Sequence, residues 1–502
     1  MAAPTNVLLI CIDSAEPDLI ELWSDTGDLP TLRSLKNDGA WGVVSATPGF
    51  FNHAIWPTFF TGVSPARHGR YCLNQLETGG YNNVRLTADD IGREPFWNIL
   101  GRADRRLAII NVPKAPLSRE LNGVQLADWG THDLEYSGIC SWPPEFANEV
   151  TARYGADTLG PCDKADLRPE GVAQFRDSLL ERVKTHTRFA DDLMAQGGWD
   201  LFLFSFGDSH CVGHQCWHIH DPDHPRHDAD LAARIGNPVR DVYAGIDAAV
   251  ARLLERAGPE ATKIVFVGPG MEANYTGNML LDPILRKLDG GPVNSRRKVM
   301  SAARWAYGKL PGTIKKRLQN TAMRAKDADR VSDRSGRSAF AVANHNRCGA
   351  IRVNLVGREP MGRVRPGDDF EAYCDALTSD LMDIVNVDSG EKLVQQVVRC
   401  ADHYAGDRLD SLPDLLVEWN RNAPIYGAAS PKIGIVRRPL PDTRTGDHTP
   451  HCMVYCQGPG IVPGQIGQSI SVEDLAPTVA GLLGVSLGDV DGKPLSAFGA
   501  RE

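Results

Sequence analysis

Several things are missing from this 502-residue chain. No run of about 20 apolar residues occurs, which excludes an ordinary membrane-spanning helix. The start, MAAPTNVLLICID, has neither a basic n-region nor a small-residue cleavage site. Its short apolar run passes straight into Asp13, as a buried first strand would and a secretory leader would not. CxxC pairs are absent, and the 11 cysteines follow no regular framework. That argues against a cysteine zinc ribbon and leads us to expect reduced thiols in a cytoplasmic setting. An excess of positive charge is also lacking: the formal net charge is −9. The surface as a whole is therefore no nucleic-acid footprint, and no nucleic-acid partner is expected. Internal repeats and low-complexity tracts are absent too.

What is present is an alternation of apolar strand-length runs with helical stretches. Val7–Ile12, Arg106–Asn111, Leu201–Phe206, Ile264–Val267, Leu415–Glu418 and Met453–Cys456 read as buried parallel strands. Val172–Met194 and Asn237–Ala257 read as helices between them. The fold class expected is α/β, a doubly wound, mainly parallel sheet flanked by helices. In such sheets ligands sit beyond the carboxyl ends of the strands, which singles out Asp13, the Asp208–His218 stretch, Gly268–Met271 and Asp447–His448.

Charge is unevenly spread. Arg286–Arg337 carries 15 Lys and Arg against 4 Asp, about +11, leaving the remainder near −20. We read residues 286–337 as a basic helical insertion, a cap between a first core segment, 1–285, and a second, 338–502. It would be a solvated face, an attractor for anions, or a patch for an acidic surface.

Histidine is concentrated instead of scattered. His210, His214, His218, His220, His224 and His227 are six of the chain's 14 histidines. The first three are spaced by four, so a helix would align them on one face. An i, i+4 histidine pair after a buried strand is a chelating geometry for zinc or a similar divalent metal. Farther on, Asp447, His448 and His451 precede another strand. Thr58 and Thr61 lie on a short aromatic helix after Asn52. Their hydroxyls are possible nucleophiles, although threonine near a helix start more often caps it.

Thr61-Gly-Val-Ser-Pro-Ala-Arg-His-Gly69 matches TGxxPxxHG, and Asp474-Leu-Ala-Pro-Thr-Val-Ala-Gly-Leu-Leu-Gly484 matches DIAPTxxxLLG, with Asp491-Gly492 after it. With Gly446-Asp447-His448, these motifs resemble the alkaline phosphatase superfamily, specifically its type I phosphodiesterase/nucleotide pyrophosphatase branch. The resemblance covers nearly the whole chain. It implies two metal ions, typically zinc, flanking a Thr, Ser or modified Cys nucleophile, and a small anionic substrate.

Carried over residue by residue, the resemblance shows departures. Asp13 stands in place as the carboxylate after the first strand. Asn52 occupies the nucleophile position, and an amide is a poor nucleophile. The family's Asp-x-x-x-His pair becomes His210 and His214, unless a shifted register brings Asp208 into use. Gly268 and Pro269 replace an Asp and a His ligand, while the last His ligand is present as His448. One metal position thus retains His210, His214 and His448 with an open coordination site, as a catalytic zinc requires. The other retains only Asp13 and Asn52. Asn52 and Asp13 are the expected catalytic groups, and His218 and Thr58 the expected substrate contacts. The expected activity is a one-metal hydrolase or transferase acting on a phosphoester or related anion. A transferase or lyase of another class on this fold, or a silent binding protein, are the alternatives.

Overall fold

The computed structural model describes residues 6–131, 134–136, 138–157, 159–160, 162, 169–290, 330–438 and 444–500. A central sheet runs in the order Gly464–Gln465, Ala40–Ser45, His451–Gln457, Thr262–Val267, Val7–Ile12, Leu201–Phe206, Leu107–Ile110, Gly123–Ala127 and Cys140–Trp142. The five strands from Thr262–Val267 to Gly123–Ala127 are parallel. The expected α/β class, a mainly parallel sheet flanked by helices, is what the chain adopts.

Parallel strands covered on both faces need apolar side chains in both directions, and Val7–Ile12 is buried at every position. Leu8, Ile10 and Ile12 enter one core, with Leu179 and Val183 from helix Pro169–Met194 and Val242 and Ile246 from helix Pro238–Ala257. Val7, Leu9 and Cys11 enter the opposite core, with Ile55 and Phe59 from helix Ile55–Thr61 and Val479 from helix Leu475–Leu482. The two family-like motifs meet here. Asp491 accepts hydrogen bonds from Ser64 N at 2.8 Å and Arg67 Nη1 at 2.6 Å, so the C-terminal segment holds the Thr61–Gly69 loop in place.

Two strand expectations are corrected. His451–Gln457 lies in the central sheet but runs antiparallel to both neighbours. The chain reaches it directly from Gly446–Thr449, at the carboxyl edge of the parallel strands, so it can only run back. Leu415–Trp419 belongs to a separate antiparallel sheet with Ala339–Val342, Cys348–Val353 and Val394–Arg399. An apolar run reports burial and not strand direction or sheet membership.

Most of the expected basic insertion, residues 291–329, lies outside the described residues, and with it the expected helical cap. Its flanks are tied together: Arg286 Nη2 lies 2.5 Å from Asp333 Oδ2, and Arg337 Nη1 lies 2.6 Å from Asp282 Oδ1. No helix among the described residues is long and apolar enough to cross a membrane.

Helix Asp208–His220 starts one residue after strand Leu201–Phe206 and is buried along nearly its whole length. Its first residue is anchored by a buried ion pair, with Arg182 Nε 2.7 Å from Asp208 Oδ1. Removing one member of such a pair leaves a buried charge poorly compensated. Asp208→Ala should therefore destabilise the protein by about 3–5 kcal/mol in urea denaturation. An unchanged midpoint and slope would show that the pair does not anchor the helix.

Candidate metal centre and its pocket

His210 and His214 face the same side of helix Asp208–His220, and strand Gly446–Thr449 brings His448 against them. That strand pairs antiparallel with Gly270–Ala273, placing His448 opposite Met271. The three ring centroids are 4.7, 4.9 and 4.8 Å apart. One nitrogen from each ring can be chosen so that all three lie within 4.8 Å of one another. Convergence this tight depends on Gly446, where a Cβ would stand 2.2 Å from the Gly213 carbonyl oxygen. Any side chain there would push the strand, and His448 with it, off the helix.

Hydrogen bonds orient two of the rings. His214 Nδ1 lies 2.7 Å from the Gly446 carbonyl oxygen, which can only accept. The proton is therefore on Nδ1, leaving the Nε2 lone pair for a ligand. His210 Nδ1 lies 2.7 Å from Asp13 Oδ2, the carboxylate–histidine pairing that fixes metal-ligating imidazoles. Asp13 is itself held by Ser14 Oγ at 3.1 Å. Both His448 nitrogens are buried without a hydrogen-bond partner among the described residues. Burial, followed by the neighbouring His214, His210 and Lys114, pushes the His448 pKa well below the ordinary imidazole value. The ring is thus neutral, the form that ligates. Three buried imidazoles, two with assigned tautomers, fit a divalent metal of nitrogen preference.

The remaining expected residues fall around this cluster. Asp208 is engaged with Arg182, so His210 is the residue that joins the cluster. His218, one turn farther along, is not one of the three converging histidines. Its Nδ1 meets Thr445 Oγ1 at 3.2 Å, and burial drives its pKa down to about 4. Thr58 is fully buried, with Oγ1 3.0 Å from His68 Nε2. Because Arg70 N donates to His68 Nδ1, that Nε2 carries the proton and Thr58 accepts it. Thr58 thereby stiffens the Thr61–Gly69 motif from inside, and the structure adds no support for its expected substrate contact.

Asn52 is half-buried in the turn ahead of helix Ile55–Thr61. The second sheet pins this turn: Gly49 O accepts from Asn344 Nδ2 and His345 Nε2, both at 2.9 Å. At Gly268 a Cβ would lie 2.5 Å from Cys452 Sγ, leaving no room for a ligand side chain. Beside it Glu16, unnoticed in the sequence, accepts from Met271 N and Thr449 Oγ1, both at 2.9 Å.

A narrow, partly enclosed pocket adjoins the cluster and is lined by Asp13, His210, Asn111, Lys114, Gly130 and His186, among others. Around it, residues following three of the parallel strands, Val7–Ile12, Leu107–Ile110 and Gly123–Ala127, take left-handed backbones without being glycine: Ser14 (φ 63°), Asn111 (φ 56°), Lys114 (φ 60°) and Asp128 (φ 60°). Each such residue costs about 1–3 kcal/mol, and such strain gathers at functional sites. Of the polar groups here, composition and spacing pointed only to Asp13 and His210. Lys114 and Asn111 stand singly, outside any motif.

The profile of the type I phosphodiesterase/nucleotide pyrophosphatase family matches residues 7–448. Among solved structures, phosphonoacetate hydrolase from Sinorhizobium meliloti 1021, in complex with phosphonoacetate, matches with a TM-score of 0.55 and 11% identity over 94% of both chains. The same hydrolase with phosphonoformate gives 0.51 and 12%, again over 94% of both. Murine ectonucleotide pyrophosphatase/phosphodiesterase 5 gives 0.49 and 13% over 97% of this chain and 98% of its own. No curated protein matches the chain. At these identities the two phosphonoacetate hydrolase likenesses speak for the fold alone, and the profile, spanning most of the chain, decides the family. The chain belongs to the type I phosphodiesterase/nucleotide pyrophosphatase family, a family of enzymes within the alkaline phosphatase superfamily.

Proposed function

We propose that this protein is a metal-dependent hydrolase of phosphoesters or phosphonates that works with one metal ion, zinc by donor chemistry, and no Thr or Ser nucleophile. The observation carrying this reading is the convergence of His210, His214 and His448, with two imidazoles oriented by Asp13 and by the Gly446 carbonyl. Held by that set, a divalent ion would supply Lewis acidity toward a phosphoryl group and water.

The chain's own residues do the rest. Asp13 holds the His210 ring through its Nδ1 proton and raises that ligand's basicity. Asn52 stands where the family has its nucleophile. Its amide cannot attack, but its N–H groups can donate to an anionic oxygen, an orienting role rather than a covalent one. With Gly268 and Pro269 offering no side-chain donor, water is the attacking group left to the site.

His214→Ala should lose both bound metal and hydrolysis while its far-UV circular dichroism stays native. Full metal content in that variant would reject the ligand set. Asp13→Ala should keep the three ligands yet weaken metal affinity about 10–100-fold, read by titration against a chelating indicator. Wild-type affinity would mean that Asp13 does not orient His210. Asn52→Ala should retain the metal and slow turnover about a hundredfold, with little change in KM. Undiminished turnover would remove Asn52 from the reaction.

A further inference from the structure

We infer that Thr445 is a positioning residue of the centre: its hydroxyl fastens the helical turn that carries His214 to the strand that carries His448. Two of the three converging imidazoles are thereby held in register. The inference rests on the one-metal reading above and adds to it a residue that is not itself one of the ligands.

Thr445 stands one residue before strand Gly446–Thr449 and is buried. Gly446 and His448 are two positions apart and so share one face of that strand, which means that whatever fixes its first residues also fixes His448. Thr445 and Gly446 take hold of His214 at both ends. Thr445 N donates to His214 O at 2.7 Å, and Gly446 O accepts from His214 Nδ1 at 2.7 Å. To these contacts the threonine side chain adds three. Its Oγ1 donates to His214 O at 3.2 Å, accepts from His218 N at 3.3 Å and meets His218 Nδ1 at 3.2 Å. On the other side Thr445 O accepts from Asn274 N at 2.9 Å, just past the strand Gly270–Ala273 that pairs with Gly446–Thr449.

A hydroxyl has one proton and two lone pairs. The proton goes to His214 O, which can only accept, and the lone pairs are left for the His218 backbone N–H and the His218 ring N–H. All three are used within one helical turn. His214 O and His218 N are also the acceptor and donor that an α-helix joins to each other, four residues apart. The hydroxyl therefore sits at that helical step, bonded to both of its ends, and a side chain entering the ladder there sets the local course of the helix. Valine has nearly the same shape but can bond to neither end, whereas serine can bond to both. Backbone contacts at 445 survive either substitution, so the share of the hydroxyl is open to measurement. It matters because ligand groups have to be held within about 0.5 Å of their productive geometry.

Zinc titration of the full chain against a chelating indicator tests this. Thr445→Val should weaken zinc affinity about 10–100-fold, and Thr445→Ser should keep most of it. Thr478→Val is the control for general destabilisation. Thr478 Oγ1 likewise donates to a backbone carbonyl, Asp474 O, at 2.6 Å and accepts from a backbone N–H, Leu495 N, at 2.9 Å. It lies on helix Leu475–Leu482, which carries none of the three histidines, so its loss should lower thermal stability and leave zinc affinity native. Thr445→Ala serves if the valine variant fails to fold. Wild-type zinc affinity in the variant without the hydroxyl, or equal losses in the serine and valine variants or in the control, overturns the inference. Hydrogen–deuterium exchange on chelator-treated protein gives a metal-independent reading: residues 211–220 and 445–449 should exchange faster in Thr445→Val and at the native rate in Thr445→Ser. If the native protein binds no zinc, the one-metal reading falls, and the exchange rates alone decide the role of Thr445. Native exchange in the valine variant would then overturn it.

Discussion

The bond between His214 Nδ1 and the Gly446 carbonyl oxygen spans 232 positions of sequence, and the site is organised around it. It assigns the tautomer of one converging imidazole and locates the strand that carries another. The bond can form only because Gly446 has no side chain, since its Cβ position is already within 2.2 Å of the Gly213 carbonyl. A second link lies beside it, where Thr445 N donates to His214 O at 2.7 Å. Helix and strand are therefore locked by backbone contacts, and the imidazoles meet as a consequence. A centre built this way is preorganised by packing, and ligand side chains need not search for one another.

The neighbourhood of Gly268 and Pro269 follows the same physics. A buried turn without polar side chains of its own leaves its backbone groups and the space beside them to be satisfied by neighbours. Cys452 fills the space beside Gly268, and Glu16 takes the space beside Gly270, where a Cβ would stand 2.2 Å from its Oε2. Glu16 is itself satisfied by Met271 N, Thr449 Oγ1 and His451 Nδ1. Burial of the carboxylate is thus compensated by donors from three different residues, and the turn is closed with a protein anion. The result is asymmetry: one side of the centre keeps open imidazoles, and the other is packed shut.

Much of this was legible in the sequence, and the limits were physical. The strands Val7–Ile12 and Leu201–Phe206 were plain because burial on both faces demands an unbroken apolar run. His210 and His214 could be named from helical spacing and His448 from the family-like Gly446-Asp447-His448, and the three do converge. Strand direction at His451–Gln457 was not legible, because burial looks alike whichever way a strand runs. The same holds for Leu415–Trp419, whose apolar run could serve either sheet. Lys114 and Glu16 were missed for a different reason. Each is a single residue of a common type whose importance comes only from what folds against it.

Lys114 and Asn111 show where conformational strain enters. Both hold left-handed backbones that a glycine would adopt freely, and Asn111 uses its amide to clamp Trp129 while doing so. A glycine at 114 would relieve the strain but remove the lysine that lines the pocket beside Asp13 and His210. A non-glycine residue in that conformation has to be held by the surrounding structure. Strain at the carboxyl ends of three parallel strands of the central sheet is then best understood as one device. Its side chains tie the loops at that edge together, Asn111 to Trp129 and Asp128 to Tyr136 N at 2.7 Å, while the helices on both faces bury the core that tolerates the strain.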